Sequence, residues 1–273
     1  MGSGTRGSVP GTFCALAADG YTARTHAGVP TARFEREDPS DSMTDDRFAI
    51  DSLRNCPLFT SCDSTVLHAV ASRLRLRRFR RNEVIFHQGD AGDSLHIIAA
   101  GSVKIVLPSA EGDEAIIATL RPPDFFGELA LLDGQPRSAT ATAVDPVETL
   151  ALSRSVFLEL LNAHAELRDA LLSALVSELR RLTDHVEELH FLDLAGRLAR
   201  RLAQLSEQVT PAASGEVALD WPYTQSDLAA MIGGTRQSVN KLLGGLIADG
   251  LVRIEREQLV ITNSEALALR AER

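Results

Sequence analysis

Cysteine is nearly missing. Only Cys14, Cys56 and Cys62 occur in 273 residues. Three thiols make neither a disulfide framework nor a zinc quartet, and they exclude an intramolecular four-cysteine iron–sulfur cluster. Cys56 and Cys62 read as reduced structural thiols or as a redox pair. Long apolar runs are missing too: none reaches the ~20 residues of a membrane-spanning helix. Residues 1–43 are rich in Gly, Ser, Thr and Asp and hold no h-region of a secretory signal. A cytoplasmic chain with no membrane partner is expected. Excess positive charge is absent as well, since 28 Lys and Arg face 37 Asp and Glu, a net charge of −9. Such a chain does not coat nucleic acid by bulk charge, so any DNA-binding role needs a locally basic reading face. Finally, no P-loop, Ser-His-Asp arrangement or metal quartet is found, so neither catalysis nor a metal site is expected.

What is present falls into segments. The length suits about two domains. Residues 1–43 read as a disordered extension, without periodicity. Two short helical patterns follow between 45 and 75. The run Arg73, Arg75, Arg77, Arg78, Arg80, Arg81 alternates partly with Leu74, Leu76 and Phe79. It reads as a half-buried strand with an arginine face, either solvated or a nucleic-acid patch. Residues 83–152 are short β-favouring runs (84–86, 96–98, 103–107, 115–118, 147–152) punctuated by turn formers, as in a sandwich or jelly roll. Then the period changes. Leu172, Leu175, Leu179, Leu182, Val186 and Leu189 are spaced 3, 4, 3, 4, 3, which is the seam of a two-stranded coiled coil or the buried stripe of a helix on its own core.

The C-terminal part is compact and mostly helical. Leu194–Leu205 reads as a helix and Glu216–Trp221 as a strand. Thr224 with Asp227 makes a capping-box-like start to a short helix, Gly233-Gly234 a tight turn, and Thr235 the N-cap of a second helix. Two short helices joined by a glycine turn are a helix-turn-helix, and 252–255 with 258–261 form a hairpin wing. In the second helix Val239, Leu242, Leu243 and Leu246 make the buried stripe. Thr235, Arg236, Gln237, Asn240 and Lys241 are the DNA-binding candidates: Arg reads guanine, Gln and Asn read adenine, and Lys holds a phosphate.

The most informative stretch is Phe125–Thr140, which gathers Gly127, Glu128, Arg137 and Ser138 on an apolar background. Gly127 lets backbone approach a ligand. Arg137 offers a planar fork of donors to a phosphate, Ser138 adds a hydroxyl, and Glu128 can accept from a sugar hydroxyl. A short helix beginning here would aim its N–H groups at phosphate. Carboxylate plus guanidinium suits a sugar phosphate or nucleotide.

Phe126-Gly127-Glu128-Leu129-Ala130-Leu131-Leu132 followed by Arg137-Ser138-Ala139-Thr140 resembles the phosphate-binding cassette of the Crp/Fnr family of bacterial transcription regulators. Gly89-Asp90-Ala91-Gly92-Asp93 and Ala100-Gly101-Ser102-Val103-Lys104 match that family's cyclic-nucleotide fold, and Phe191-Leu192-Asp193-Leu194-Ala195-Gly196-Arg197 matches its hinge. The resemblance spans about 45–265 and implies an α+β architecture. A cyclic-nucleotide-binding β jelly roll would span 44–162, a long dimerisation helix 163–191, and a winged helix-turn-helix 192–273. It implies ligand contacts at Gly127, Glu128, Leu129, Arg137, Ser138 and Thr183, with cyclic AMP as effector and no tightly bound cofactor. Implied partners are double-stranded DNA at a palindromic site, a second copy of the chain through the six apolar residues above, and RNA polymerase.

The chain departs from the family pattern in three places. The polar pair that contacts adenine falls at Leu182 and Thr183, and only Thr183 is polar. A further phosphate-binding arginine falls at Glu178, with Arg180 and Arg181 nearby. Gln237 replaces a glutamate that reads cytosine in the best-known member, so a different operator base is expected. Two alternatives remain. One is the same architecture without ligand control or with another effector, such as haem bound by His87, His96 or His185. The other is a regulatory module for an enzyme, against which the helix-turn-helix argues.

Overall fold

The structure is a computed structural model that describes residues 46–207, 209, 215–220, 223–255 and 258–271. The expected extension, 1–43, lies outside them.

The chain opens with α1 (Asp46–Asn55) and α2 (Ser64–Ala71). The Asp63 carboxylate starts α2 by accepting from the Val66 N–H at 2.9 Å. Strands follow as β1 (Arg75–Phe79), β2 (Val84–Phe86), β3 (Ser94–Ala100), β4 (Val103–Pro108), β5 (Glu114–Leu120) and β6 (Phe125–Phe126). The short helix α3 (Glu128–Asp133) precedes β7 (Thr140–Ala143), β8 (Val147–Ser153) and α4 (Arg154–Ala163). Two four-stranded antiparallel sheets result, ordered β1-β8-β3-β6 and β2-β7-β4-β5. Ile98, Val103, Phe126, Ala141, Ala143 and Val147 fill one core. Leu95, Ile97, Leu150 and Leu152 pack in another with Phe157 and Leu167 of the helices and Phe59 of the turn between α1 and α2.

The arginine run lies on an edge strand. Leu76 is buried while Arg75 and Arg78 are exposed. Arg78 faces Glu148 across the ladder and pairs with it at 2.8 Å, and Arg73 pairs with Glu159 at 2.9 Å. This face is solvated and partly neutralised.

His164 takes an extended conformation between α4 and α5 (Ala165–Phe191), a rod about 40 Å long at 1.5 Å per residue. Its two faces differ from the expected stripe. Leu172, Leu179, Leu182, Val186 and Leu189 are exposed as expected, Leu182 least at 39%. Leu175 instead packs against the core shared by α1, α2 and α4, and both it and Leu182 line a cavity. Val176 (51% exposed) and Thr183 join the outer side. The outer row is therefore Leu172, Val176, Leu179, Thr183 and Val186, with Leu182 and Leu189 exposed beside it. Of the six residues read as a seam only Leu175 turns inward, because both rows repeat every three or four residues and the neighbouring core, invisible in α5 alone, claims one of them.

The last part comprises α6 (Leu194–Ser206), β9 (Val217–Asp220), α7 (Gln225–Ile232), α8 (Arg236–Ala248), β10 (Val252–Glu255), β11 (Gln258–Ile261) and α9 (Ser264–Arg270). The wing is wider than a hairpin: its order is β10-β11-β9. Trp221, expected to end β9, lies outside the described residues. Leu198, Leu202, Leu228, Ile232, Val239 and Leu243 form the local core, which extends onto the β2-β7-β4-β5 sheet region at Val106, Ile116 and Val144. There Lys104 Nζ meets Asp227 Oδ1 at 2.8 Å, each side chain 15% exposed. Among the described residues no helix is long and apolar enough to cross a membrane.

Candidate functional site

The turn from β6 into α3 is shaped by Gly127. Its φ is +88°, and a Cβ there would stand 2.5 Å from Arg137 Nη1 and 3.2 Å from the Ser94 carbonyl. Only glycine fits, on both backbone and space grounds. The vacated space holds the Arg137 guanidinium, 3% exposed. Nη1 donates to the Gly127 carbonyl at 2.7 Å, and Nη2 to the Ser94 carbonyl at 2.8 Å. The Asp93 carboxylate lies 3.6 Å from Nη2, and the Phe86 ring sits under the guanidinium carbon at 4.1 Å. Nε is buried without a hydrogen-bond partner. An Arg carries five N–H donors. Here two are given to backbone, and the charge is held in place before any ligand arrives.

Arg137 borders a cavity of about 470 Å³, lined also by Gly127, Glu128, Leu129 and Ser138. The cassette residues named from the sequence thus meet around one space. Its far wall is apolar, with Ile117, Leu120, Leu175 and Leu182, and α5 adds Ser177, Glu178 and Arg181. Arg181 pairs with Glu178 through Nε at 2.8 Å and again through Nη2. Burial raises the Glu128 carboxyl above its ordinary pKa, and the Glu178 charge pushes the same way. Burial likewise raises Asp124.

Thr183 is not brought to this cavity. It stands on the exposed row of α5, with Oγ1 donating to the Leu179 carbonyl at 2.9 Å. Phe86, Asp93 and Ser94 belong to this site but were not read as site residues from the sequence. Only the Gly-Asp-Ala-Gly-Asp turn pointed near them. That it would fold against Arg137 depends on backbone bonds between distant loops, Arg137 N–H to the Asp90 carbonyl at 2.8 Å and Gly89 N–H to the Arg137 carbonyl at 2.9 Å.

Among the described residues no three His, Cys, Asp or Glu are placed to hold an ion. His87 is exposed and His185 lies 3.7 Å from Glu188. His96 is buried with both ring nitrogens engaged, to Ser94 and Thr149. Burial first, and the Arg137 charge second, push its pKa down to about 3, so it is neutral. Cys56 and Cys62 are free thiols, and burial lifts Cys56 to about 12.

The second surface is the helix-turn-helix. Thr224 and Asp227 form a reciprocal capping box on α7. Gly233 ends that helix at φ +68°, with space for a Cβ closed to 3.3 Å by Arg197. Thr235 caps α8 by accepting from the Ser238 N–H at 3.2 Å. Val239, Leu243 and Leu246 are buried, which leaves Thr235, Arg236, Gln237, Asn240 and Lys241 together on the exposed side. In the wing, Arg253 pairs with Glu216 and Glu255.

The chain matches the cyclic nucleotide-binding domain over residues 76–164 and the Crp-like helix-turn-helix domain over 196–270. It is 31% identical over 219 residues to the CRP-like cAMP-activated global transcriptional regulator of Mycobacterium tuberculosis, covering 80% of this chain and 98% of that one. It is also 31% identical over 202 residues to the cyclic AMP receptor protein of Thermus thermophilus, covering 74% and 90%. Among solved structures, a CRP/FNR-family transcriptional regulator from Thermus thermophilus is similar with a TM-score of 0.61 and 29% identity, covering 72% of this chain and 98% of that one.

Proposed function

The chain belongs to the Crp/Fnr family of transcription regulators, and from that premise we propose that it binds cyclic AMP and, as a homodimer, a palindromic DNA site. It is a cyclic-nucleotide-binding transcription regulator rather than an enzyme. In the proposed division, 44–162 is the sensor, 163–191 the dimerisation helix and 192–273 the reading head, working in the cytoplasm with RNA polymerase as a further partner.

The observation that carries the ligand assignment is Arg137: a buried guanidinium with an orphaned Nε, lining a cavity. A buried donor without an acceptor is costly. A phosphate monoanion supplies both the acceptor and the countercharge. Ser138 adds a hydroxyl beside it, Glu128 accepts from the ribose 2′-hydroxyl, and Gly127 and Leu129 floor the site. The apolar wall receives the base.

Thr183 touches a base only if a second copy brings it to the partner's cavity, which suits its place on the exposed row of α5. That row offers the seam of a parallel pair. Two-fold symmetry would then set two α8 helices ~34 Å apart on successive major grooves. Ligand contacts from the cassette and α5 would favour one arrangement of the reading heads, by no more than the ligand's differential affinity for the two.

A different effector in the same cavity is the second reading. Leu182 and Glu178 favour it, because neither hydrogen-bonds an adenine or a phosphate as the family's residues do. Calorimetry with cyclic mono- and dinucleotides decides between them. Arg137→Ala is expected to lower cyclic AMP affinity at least 100-fold with the circular dichroism spectrum retained. Unchanged affinity would overturn the site.

A further inference from the structure

Behind Arg137 lies a chain of side-chain hydrogen bonds whose direction can be worked out. Ser94 Oγ donates to Asp93 Oδ1 at 2.8 Å. A hydroxyl has one proton to give. Ser94 must therefore accept at its other contact, His96 Nε2 at 3.1 Å. So His96 carries its proton on Nε2, and Nδ1 accepts from the Thr149 hydroxyl at 3.1 Å. The order is Thr149 to His96 to Ser94 to Asp93, ending at the carboxylate 3.6 Å from Arg137 Nη2. The Ser94 backbone carbonyl takes the same guanidinium nitrogen at 2.8 Å.

The ring of His96 completes the support. It stacks on Phe126 at 5.2 Å and 14°, and Phe86, the ring under the Arg137 guanidinium, lies 6.1 Å away. Thr149 is fully buried and His96 7% exposed. Apolar residues would fill this core without the desolvation cost of two polar ones. A polar pair there fixes a position.

We propose that His96 is a positioning residue for Arg137: through Ser94 and Asp93 on one side and Phe86 on the other, it holds the guanidinium's open edge toward the cavity. It touches no ligand. Neutrality is part of the device, because a protonated imidazole would reverse the Thr149 bond and face the arginine's charge. Its effect on affinity rests on the cyclic-nucleotide reading of the cavity, while its effect on Arg137 does not.

The test uses the full chain and two readouts. His96→Phe keeps the stack and removes both hydrogen bonds, and Ser94→Ala breaks only the link between His96 and Asp93. In nitrogen-edited NMR, the Arg137 Nε–H signal is assigned by its disappearance in Arg137→Lys. It is expected to broaden or shift in both variants. Calorimetry with cyclic AMP is expected to show about tenfold weaker binding for His96→Phe, a smaller loss for Ser94→Ala, and little further loss when His96→Phe is added to Arg137→Lys. A fold defect alone would lower affinity equally in both backgrounds. Unmoved Nε–H signals, or additive losses, overturn the proposal. If His96→Phe fails to fold, Ser94→Ala decides by the same criteria. Absence of cyclic AMP binding by the unaltered chain would overturn the ligand reading alone, with the NMR result still deciding the role of His96.

Discussion

Gly127 and Arg137 occupy each other's space: the missing Cβ of one is where the guanidinium of the other rests. Gly127→Ala must either flip the turn or push Arg137 away. Its cost is expected at about 1–3 kcal/mol, the scale of a forced left-handed residue, which a lowered melting temperature measures. Cyclic AMP affinity should fall with it, while the secondary structure content stays. A variant with unchanged melting temperature would show that the turn relaxes freely. Residue types and order made this site legible, because glycine, carboxylate, guanidinium and hydroxyl each have a distinct use on a sugar phosphate. Asp93, Ser94 and His96 were not legible. Their value comes from contacts across a loop and a sheet, and a serine after an aspartate in a turn looks like any surface turn.

At the scale of elements, legibility followed how local the deciding physics is. The caps of α7 and α8 lie within three residues of what they cap, and both form. The strand Thr140–Ala143 escaped notice because its small residues show little alternation of polarity, although its neighbours β2 and β4 hold it on both edges. In α5 the heptad-like spacing was visible, but the division of its faces was set by the sensor. The exposed row predicts a specific experiment. Leu179→Asp with Val186→Asp is expected to halve the sedimenting mass while leaving each cavity able to bind cyclic AMP, since neither residue lines it. An undiminished mass would place the contact between copies elsewhere.

Across the whole molecule, the reading head is tied to its own sensor. Val106 and Ile116 enter its apolar core, and Lys104 reaches Asp227. Asp227 is also the N3 carboxylate of the α7 capping box, and although burial raises its carboxyl pKa, hydrogen bonds from Lys104 and Thr224 outweigh this and hold it below the usual value. A depressed carboxylate stabilises above its unfolded pKa and loses that contribution as pH falls through the folded one. Lys104→Met leaves the carboxylate without its cation, at an expected cost of about 1–3 kcal/mol near neutral pH. The cost should vanish in an Asp227→Asn background, where thermal melting of the four proteins completes the cycle. An equal loss in both backgrounds would assign it to packing of the lysine stem. This tie lay beyond the sequence, because the partners are 123 positions apart.

Helix α5 turns one side to its own cavity, with Leu175, Glu178, Arg181 and Leu182, and the other to the outside, with Leu172, Val176, Leu179 and Val186. A rigid rod cannot roll to suit an occupant on one side without re-aiming the other. In a symmetric pair, filling the first pocket therefore reshapes the second before anything enters it, and the two occupancies cease to be independent events.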